Sequence, residues 1–169
     1  MPERTTTRPS RGATAPGAIL VATAALLLAA TGAAGQTAAS GTLTPAGPPL
    51  APPTRTDAGG ACIVELRQAS EVAGTLDGRL VADYRILIRG PCGQPAGTYA
   101  EEWIAHGTFD GTVDGEPATG TFVYTAAVEP GGSVRGRITL GDGVVGALEV
   151  TGEMSEGRLS YAGSVEAGG

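Results

Sequence analysis

The feature that most constrains this chain is an alternation of apolar and polar residues that recurs from residue 61 onward. In residues 133–140, Val134, Ile138 and Leu140 share one face, while two arginines and a threonine occupy the other. A period of two is typical of β-strands that bury one face. No comparable stretch shows the period of a helix, of about 3.6 residues. The pattern therefore predicts an all-β domain.

Short turn signals separate the alternating runs. They are Asp77-Gly78, Asp114-Gly115, Pro130-Gly131-Gly132, Asp142-Gly143 and Glu156-Gly157. Such pairs favour tight hairpins. We predict strands over residues 61–68, 70–76, 79–89, 98–106, 107–113, 118–128, 133–140, 144–154 and 158–166. Because closure removes exposed sheet edges, these strands predict an antiparallel up-and-down β-barrel of about eight strands. The alternative, a two-sheet sandwich, needs longer Greek-key connections.

Glycine is abundant, with 28 residues in a chain of 169. Several interrupt the predicted strands: Gly107, Gly111, Gly120, Gly136, Gly152 and Gly163. Bends and bulges at barrel corners are one reason to keep glycine inside a strand. A coding bias toward Gly, Ala and Arg is the alternative, since the chain contains no lysine.

The N-terminal segment, residues 1–35, has the form of an export signal. Arg4, Arg8 and Arg11 precede an uncharged apolar run, which small residues follow. This order is typical of a cleaved signal peptide. An uncleaved membrane anchor is the alternative, because about 18 apolar residues can just span a bilayer.

The next segment, residues 36–60, is rich in Pro, Ala, Thr and Gly. Such a composition buries little apolar surface and favours disorder. We therefore predict a flexible linker here, with residues 61–169 forming the barrel domain.

The charge balance argues against a nucleic-acid partner. The chain has 11 basic residues, all arginine, against 17 acidic ones, a net charge of −6. Nucleic-acid binding requires clustered basic side chains that neutralise phosphates. We expect no nucleic-acid partner, and no membrane insertion apart from the N-terminal signal or anchor.

Two cysteines, Cys62 and Cys92, are expected to form a disulfide in an exported chain. They and the single histidine, His106, are too few for a thiol or imidazole metal site. The acidic residues that could suggest calcium lie beside turn glycines and fit no EF-hand spacing: Asp110, Asp114, Glu116 and Asp142. We expect neither a metal nor a cofactor.

The candidate catalytic residues are Glu101, Glu102 and His106. Consecutive residues of a strand face opposite sides, so one of the two carboxylates must point into a barrel. A buried carboxylate can serve as an acid or base, or contact a ligand without reacting. The alternative is an edge strand on which both glutamates are solvated.

The candidate ligand-binding residues are aromatic: Tyr84, Trp103 and Tyr124. Each falls on a predicted strand. Aromatic side chains in a small barrel usually pack the core, so a purely structural role is the alternative for all three.

The order of the glycine-rich segments carries a family resemblance. Residues 107–113 (GTFDGTV), 120–124 (GTFVY) and 141–153 (GDGVVGALEVTGE) follow one another along the chain. They resemble the repeated Gly-Thr-aromatic strand pattern of bacterial proteins of unknown function in the allene oxide cyclase barrel-like superfamily. The resemblance covers residues 74–165, and departs from the pattern where Val144-Val145-Gly146 replaces a Gly-x-Leu spacing.

This resemblance implies an eight-stranded antiparallel barrel with an apolar cavity. Members of that superfamily include isomerising cyclases, dirigent proteins that guide radical coupling, and bacterial polyketide cyclases. None of their catalytic constellations matches this sequence residue by residue. We therefore predict an exported barrel that binds a small apolar ligand or a partner in the cell envelope. A cofactor-free cyclase or isomerase and an interaction protein with a filled core are the alternatives.

Overall fold

The computed structural model describes residues 36–167, and this part of the chain consists mainly of β-strands. They are β1 (Thr37–Pro45), β2 (Thr54–Asp57), β3 (Cys62–Gly74), β4 (Leu76–Ile88), β5 (Glu101–Val113), β6 (Glu116–Val128), β7 (Ser133–Gly141), β8 (Val144–Glu153) and β9 (Arg158–Ala167). A 3-10 turn, Met154–Glu156, joins β8 to β9. These residues contain no α-helix, and the predicted all-β class is confirmed. Within 36–167, no helix has the length and apolar character to cross a membrane.

Eight of the strands close into an antiparallel barrel. From β3 to β9 each strand pairs with the next along the chain, and β1 lies between β9 and β3. Thr42 shows the closure, because it stands opposite Ser160 of β9 and Ala73 of β3. The predicted up-and-down barrel of about eight strands is confirmed, with β2 as one additional strand on β3.

The predicted disordered linker over residues 36–60 is wrong, because this segment supplies β1 and β2. In β1, Ala39 and Leu43 are 4% and 7% exposed and belong to the core. Apolar residues are sparse here, but hydrogen bonding to a strand on each side orders the segment. The barrel therefore begins at Thr37. The signal peptide or anchor predicted for residues 1–35 lies outside the described residues.

The proline-rich residues between β1 and β2 continue along the edge of β3. The N–H of Ala46 donates to the Ala69 carbonyl across 2.9 Å, and that of Leu50 to the Arg67 carbonyl across 2.8 Å. Proline is tolerated on such an outer edge, where few backbone donors need a partner. The amino-acid composition of this segment predicts disorder because composition carries no information about such backbone hydrogen bonds.

Two predicted interruptions are absent. β3 and β5 each run for 13 residues, across the breaks expected near residues 69 and 107.

Asp77-Gly78 lies inside β4 instead of forming a turn. Gly78 stands opposite Gly111 with φ 148°, and a Cβ on Gly78 would overlap backbone atoms of β5. Here the glycine permits close approach of two strands, which an Asp-Gly pair does not distinguish from a turn.

The other predicted turns are confirmed. Asp114 and Asp142 have φ values of 51° and 53°, and each is followed by a glycine that also has positive φ. Two consecutive residues with positive φ are typical of the tight hairpin turns that match strand twist. The sequence signal and the backbone geometry therefore agree at both hairpins.

Glycines inside the strands allow neighbouring backbones to come close. A Cβ on Gly107 would overlap the Val81 carbonyl oxygen, and one on Gly163 would overlap the Ala147 carbonyl oxygen. Small barrels need such bends to close. These contacts give the glycines a structural reason beyond coding bias.

The barrel has a packed half and a hollow half. In the half where β3 ends and β4 begins, Leu76, Phe109 and Val165 are at most 1% exposed. The hydroxyl of Tyr161 accepts a hydrogen bond from the Leu76 N–H across 3.0 Å in this half. The opposite half, where β3 begins and β4 ends, holds a cavity.

Candidate ligand cavity

A cavity of about 400 Å³ occupies the hollow half of the barrel. Most of its wall consists of apolar side chains from alternate positions of the barrel strands, among them Val64, Leu66, Leu80, Ile86, Phe122 and Ile138. Small-molecule sites are typically clefts or cavities of about 300–1,000 Å³ with apolar walls and a few polar groups. The space is therefore large enough for a small organic molecule.

Three aromatic rings on adjacent strands form one wall of this cavity. Tyr84 of β4, Trp103 of β5 and Tyr124 of β6 meet edge to face, with centroid separations of 6.4, 6.3 and 6.4 Å. Both tyrosines stand opposite Ala105, whose small side chain lets their rings meet across β5. The structure thus brings together all three aromatic residues singled out from the sequence. Their role in ligand binding stays a prediction.

Glu101 points into the barrel and is 4% exposed. Its Oε2 accepts the indole N–H of Trp103 across 2.7 Å, and its Oε1 accepts the backbone N–H of Gly97 across 2.9 Å. A buried carboxylate requires such donors to offset its lost hydration. One of the paired carboxylates therefore faces the interior, as the strand period predicts.

Glu102 and His106 lie on the outer face of β5 and are exposed. Glu102 forms an ion pair with Arg89, and neither Glu102 nor His106 lines the cavity. The edge-strand alternative is wrong, because β5 lies between β4 and β6. The structure therefore separates these two candidates from Glu101 and assembles no group of all three.

The connection from β4 to β5, residues 89–100, lies over the mouth of the cavity, where Gly93 and Gln94 line it. The predicted disulfide between Cys62 and Cys92 is confirmed, with Cα atoms 4.9 Å apart. It ties this connection to the first residue of β3. The loop is thus anchored at the rim by a covalent bond.

Sequence reasoning missed three residues at the mouth: Arg55, Met154 and Arg158. Arg55 was missed because its segment was interpreted as a linker, and β2 is too short for its alternation to be recognised. Met154 and Arg158 flank the Glu156-Gly157 turn, and no sequence signal indicates which turn residues face a cavity.

Burial raises the pKa of both tyrosines in the aromatic wall. Desolvation raises the pKa of Tyr84 to about 12. Desolvation, together with the nearby Tyr84, raises the pKa of Tyr124 further above its ordinary value. Within residues 36–167, the hydroxyl of Tyr124 is buried and has no hydrogen-bond partner. Both hydroxyls therefore keep their protons at neutral pH.

Within the described part of the chain, no three His, Cys, Asp or Glu side chains are grouped to hold a metal ion. Asp114 and Asp142, which could suggest calcium from the sequence, occupy the hairpin turns described above.

Comparison with known proteins shows a similarity of fold to one solved structure. No family model and no curated protein matches this chain. Among solved structures, the chain is similar to a protein of unknown function from the DUF3224 family of Shewanella oneidensis MR-1. The match covers 79% of this chain and 98% of that chain, with a TM-score of 0.54 and 13% sequence identity. The allene oxide cyclase resemblance stays a prediction. At this identity the likeness concerns the fold alone, and the fold shown is a small β-barrel shared with a protein of unknown function.

Proposed function

We propose that this chain is an exported binding protein that encloses a small apolar molecule within its barrel. The observation that carries the proposal is the cavity of about 400 Å³ in the hollow half. An eight-stranded barrel can fill its interior with side chains or hold one small ligand. This barrel is packed at one end and hollow at the other.

The composition of the wall favours an apolar guest. Apolar side chains contribute most of it, and the rings of Tyr84, Trp103 and Tyr124 add a broad, rigid surface. Burying apolar surface contributes roughly 25 cal/mol per Å². Aromatic side chains provide much contact area with few rotatable bonds. A small hydrophobic molecule therefore gains most from this site.

The outer face of the barrel has the pattern of a solvated surface. Cross-strand ion pairs link Arg67 to Asp83 and Arg137 to Glu149, and their side chains are more than half exposed. Among residues 36–167, the large apolar side chains that are exposed are Leu50, Ile104, Val123 and Val145, so this part of the chain presents few apolar side chains to a partner protein. It favours a function inside the barrel over one on its surface.

Two features support export. The N-terminal residues 1–35 have the composition of a signal peptide. The disulfide between Cys62 and Cys92 is typical of proteins in oxidising compartments.

No contact among residues 36–167 favours the cyclase or isomerase alternative. Both oxygens of Glu101 already accept hydrogen bonds, and His106 and Glu102 lie on the outside. Binding explains the cavity without requiring a proton transfer.

A dye titration tests the binding function. A neutral naphthyl dye should bind the purified oxidised protein with a rise in dye emission and quenching of Trp103. Leu66→Trp, which fills the cavity, should abolish binding. Val145→Trp, at a position 52% exposed on the outer face, should leave it unchanged. The absence of binding across a broad panel of apolar dyes would overturn the proposal.

A further inference from the structure

The mouth of the cavity carries a positive charge that its apolar wall does not explain. Arg55 of β2 borders the cavity and is exposed, so it is accessible to solvent and to a bound molecule. It stands opposite Val64 of β3, which is 8% exposed and also lines the cavity. Residues directly opposite each other on neighbouring strands share one face of the sheet. The side chain of Arg55 therefore belongs to the inner face, at the rim.

The backbone pairing of the sheet is interrupted beside Arg55. β1 pairs with β9 as far as Leu43 and with β3 as far as Pro45. Beyond these residues β2 takes over the edge of β3, and it pairs with β3 alone. In the hollow half, no strand among residues 36–167 joins β2 to β9. Arg55 thus lies beside a gap in the sheet, where a bound molecule can keep one end in water.

The carboxylates near the mouth leave the charge of Arg55 unmatched. Among residues 36–167, no carboxylate forms an ion pair with Arg55. Asp57, two positions along β2, accepts a backbone N–H in the turn that follows. Both oxygens of Glu101 accept hydrogen bonds from other groups. An anion from outside this part of the chain is therefore the natural partner of Arg55.

The second arginine at the mouth differs from the first. Arg158 is the first residue of β9 and lines the cavity, but it stands opposite Glu153, which lines the cavity as well. Opposite charges on directly paired residues attract one another. Glu153 therefore offsets the charge of Arg158, and Arg55 is the cation at the mouth that is left for a ligand.

A guanidinium at the rim of an apolar cavity defines the chemistry of the matching ligand. It presents N–H donors in a fixed plane that suits the oxygens of a carboxylate or a phosphate. An anionic group at the rim stays partly hydrated, so it avoids the desolvation cost of a charge in the apolar interior. The apolar part of the same molecule then fills the hollow half.

We infer that the ligand is amphipathic, with an apolar part inside the barrel and an anionic oxygen group at the mouth that Arg55 binds. This inference rests on the proposed binding function and names the class of ligand for the same cavity.

A matched pair of competitors isolates the contribution of the charge. Para-butylbenzoate and para-butylbenzyl alcohol have similar shape, and only the first is anionic at neutral pH. The affinity of each is measured by displacement of the neutral naphthyl dye from the wild type and from Arg55→Gln. The variant should lose about fivefold in affinity for the benzoate, as expected for an exposed ion pair, and should bind the alcohol as before. Added salt should weaken benzoate binding to the wild type, because it screens this pair.

Arg85→Gln is the matched control. Arg85 is exposed on the outer face of β4 and does not line the cavity. The net charge changes equally in both variants, so a general attraction of the benzoate to the protein would weaken in both. The ratio of the two affinities should therefore change in Arg55→Gln and stay at the wild-type value in Arg85→Gln.

The outcomes separate the two proposals. If both competitors bind and their affinity ratio is the same in the wild type and Arg55→Gln, the ligand-class inference is overturned while the binding function stands. An equal change in Arg55→Gln and Arg85→Gln also overturns it, as does a wild-type benzoate affinity that does not respond to salt. If neither competitor nor any apolar dye binds, the binding function itself fails.

Discussion

The indole N–H of Trp103 donates a hydrogen bond to the buried carboxylate of Glu101 across 2.7 Å. The two residues lie two positions apart on β5 and therefore share its inner face. The other carboxylate oxygen accepts a hydrogen bond from the backbone N–H of Gly97, which lies in the loop over the cavity mouth. One side chain thus links the aromatic wall of the cavity to the loop that covers it.

Glu101→Gln should lower the free energy of unfolding by about 1–3 kcal/mol, because an amide cannot accept both hydrogen bonds and its NH₂ group then faces a donor. Trp103 emission should also change, since the indole loses its fixed partner. Urea unfolding and Trp fluorescence measure these effects. Glu102→Gln is the matched control, and its exposed ion pair with Arg89 predicts a change below about 1 kcal/mol. Equal effects of the two substitutions would contradict this role for Glu101.

Reducing the disulfide should lower the free energy of unfolding by about 3–4 kcal/mol, because the denatured chain regains the entropy of a long loop. Cys62 and Cys92 are separated by 30 residues. Urea unfolding with and without reductant measures the difference in one and the same sequence. The stability of Cys92→Ser should not respond to reductant. An unchanged wild-type midpoint after complete reduction would show that other contacts fix the loop.

The strands with strong alternation could be predicted from the sequence, and the closing strand could not. β7 to β9 match their predicted ranges to within one residue at each end, because apolar residues alternate there with charged ones. In β1 the inward positions include Ala39 and Gly41, and the outward ones are small or polar. Such a strand is ordered by pairing with β3 and β9. The residues of those two strands are distant in sequence, so the local pattern of β1 does not predict the pairing.

The aromatic wall could be predicted in its members but not in its geometry. A period of two places Tyr84, Trp103 and Tyr124 on strands, yet contact among them depends on the register that sets both tyrosines opposite Ala105. The partner of Glu101 in the loop, Gly97, has no sequence signature. Register and loop position arise from long-range pairing, which local patterns do not encode.

A chain that begins at residue 61 should fail to form a closed barrel, because it lacks β1 and leaves β3 and β9 with unpaired edges. Exposed edges promote association between chains. Size-exclusion chromatography and thermal melts followed by circular dichroism should show aggregates and no cooperative transition. A chain beginning at Gln36 retains β1 and β2 and should melt cooperatively as a soluble protein. A cooperatively folded monomer starting at residue 61 would show that β1 is dispensable.

Gly107→Ala should destabilise the barrel by about 1–3 kcal/mol, because the added methyl group overlaps the Val81 carbonyl and the ring of Phe122. The comparison is Gly141→Ala. Its Cβ meets nothing closer than the Thr121 hydroxyl at 3.8 Å, so a change within about 0.5 kcal/mol is expected. Urea unfolding measures both variants. Similar stabilities would remove the steric reason for glycine inside β5.

Raising the pH from 10 toward 12 should destabilise the folded protein through its buried tyrosines. Burial raises the pKa of Tyr84 from 10.0 to about 12, so the folded state holds its proton where the unfolded chain has released it. The resulting contribution, about 2–3 kcal/mol, is complete below the unfolded pKa and is lost as the pH rises through the folded one. Tyr124 acts in the same direction. The chain has no lysine to titrate in this range. Urea unfolding at stepped pH and tyrosinate absorbance measure the effect, which Tyr84→Phe should weaken. A wild-type midpoint that is constant over this interval would contradict the burial of the tyrosine wall.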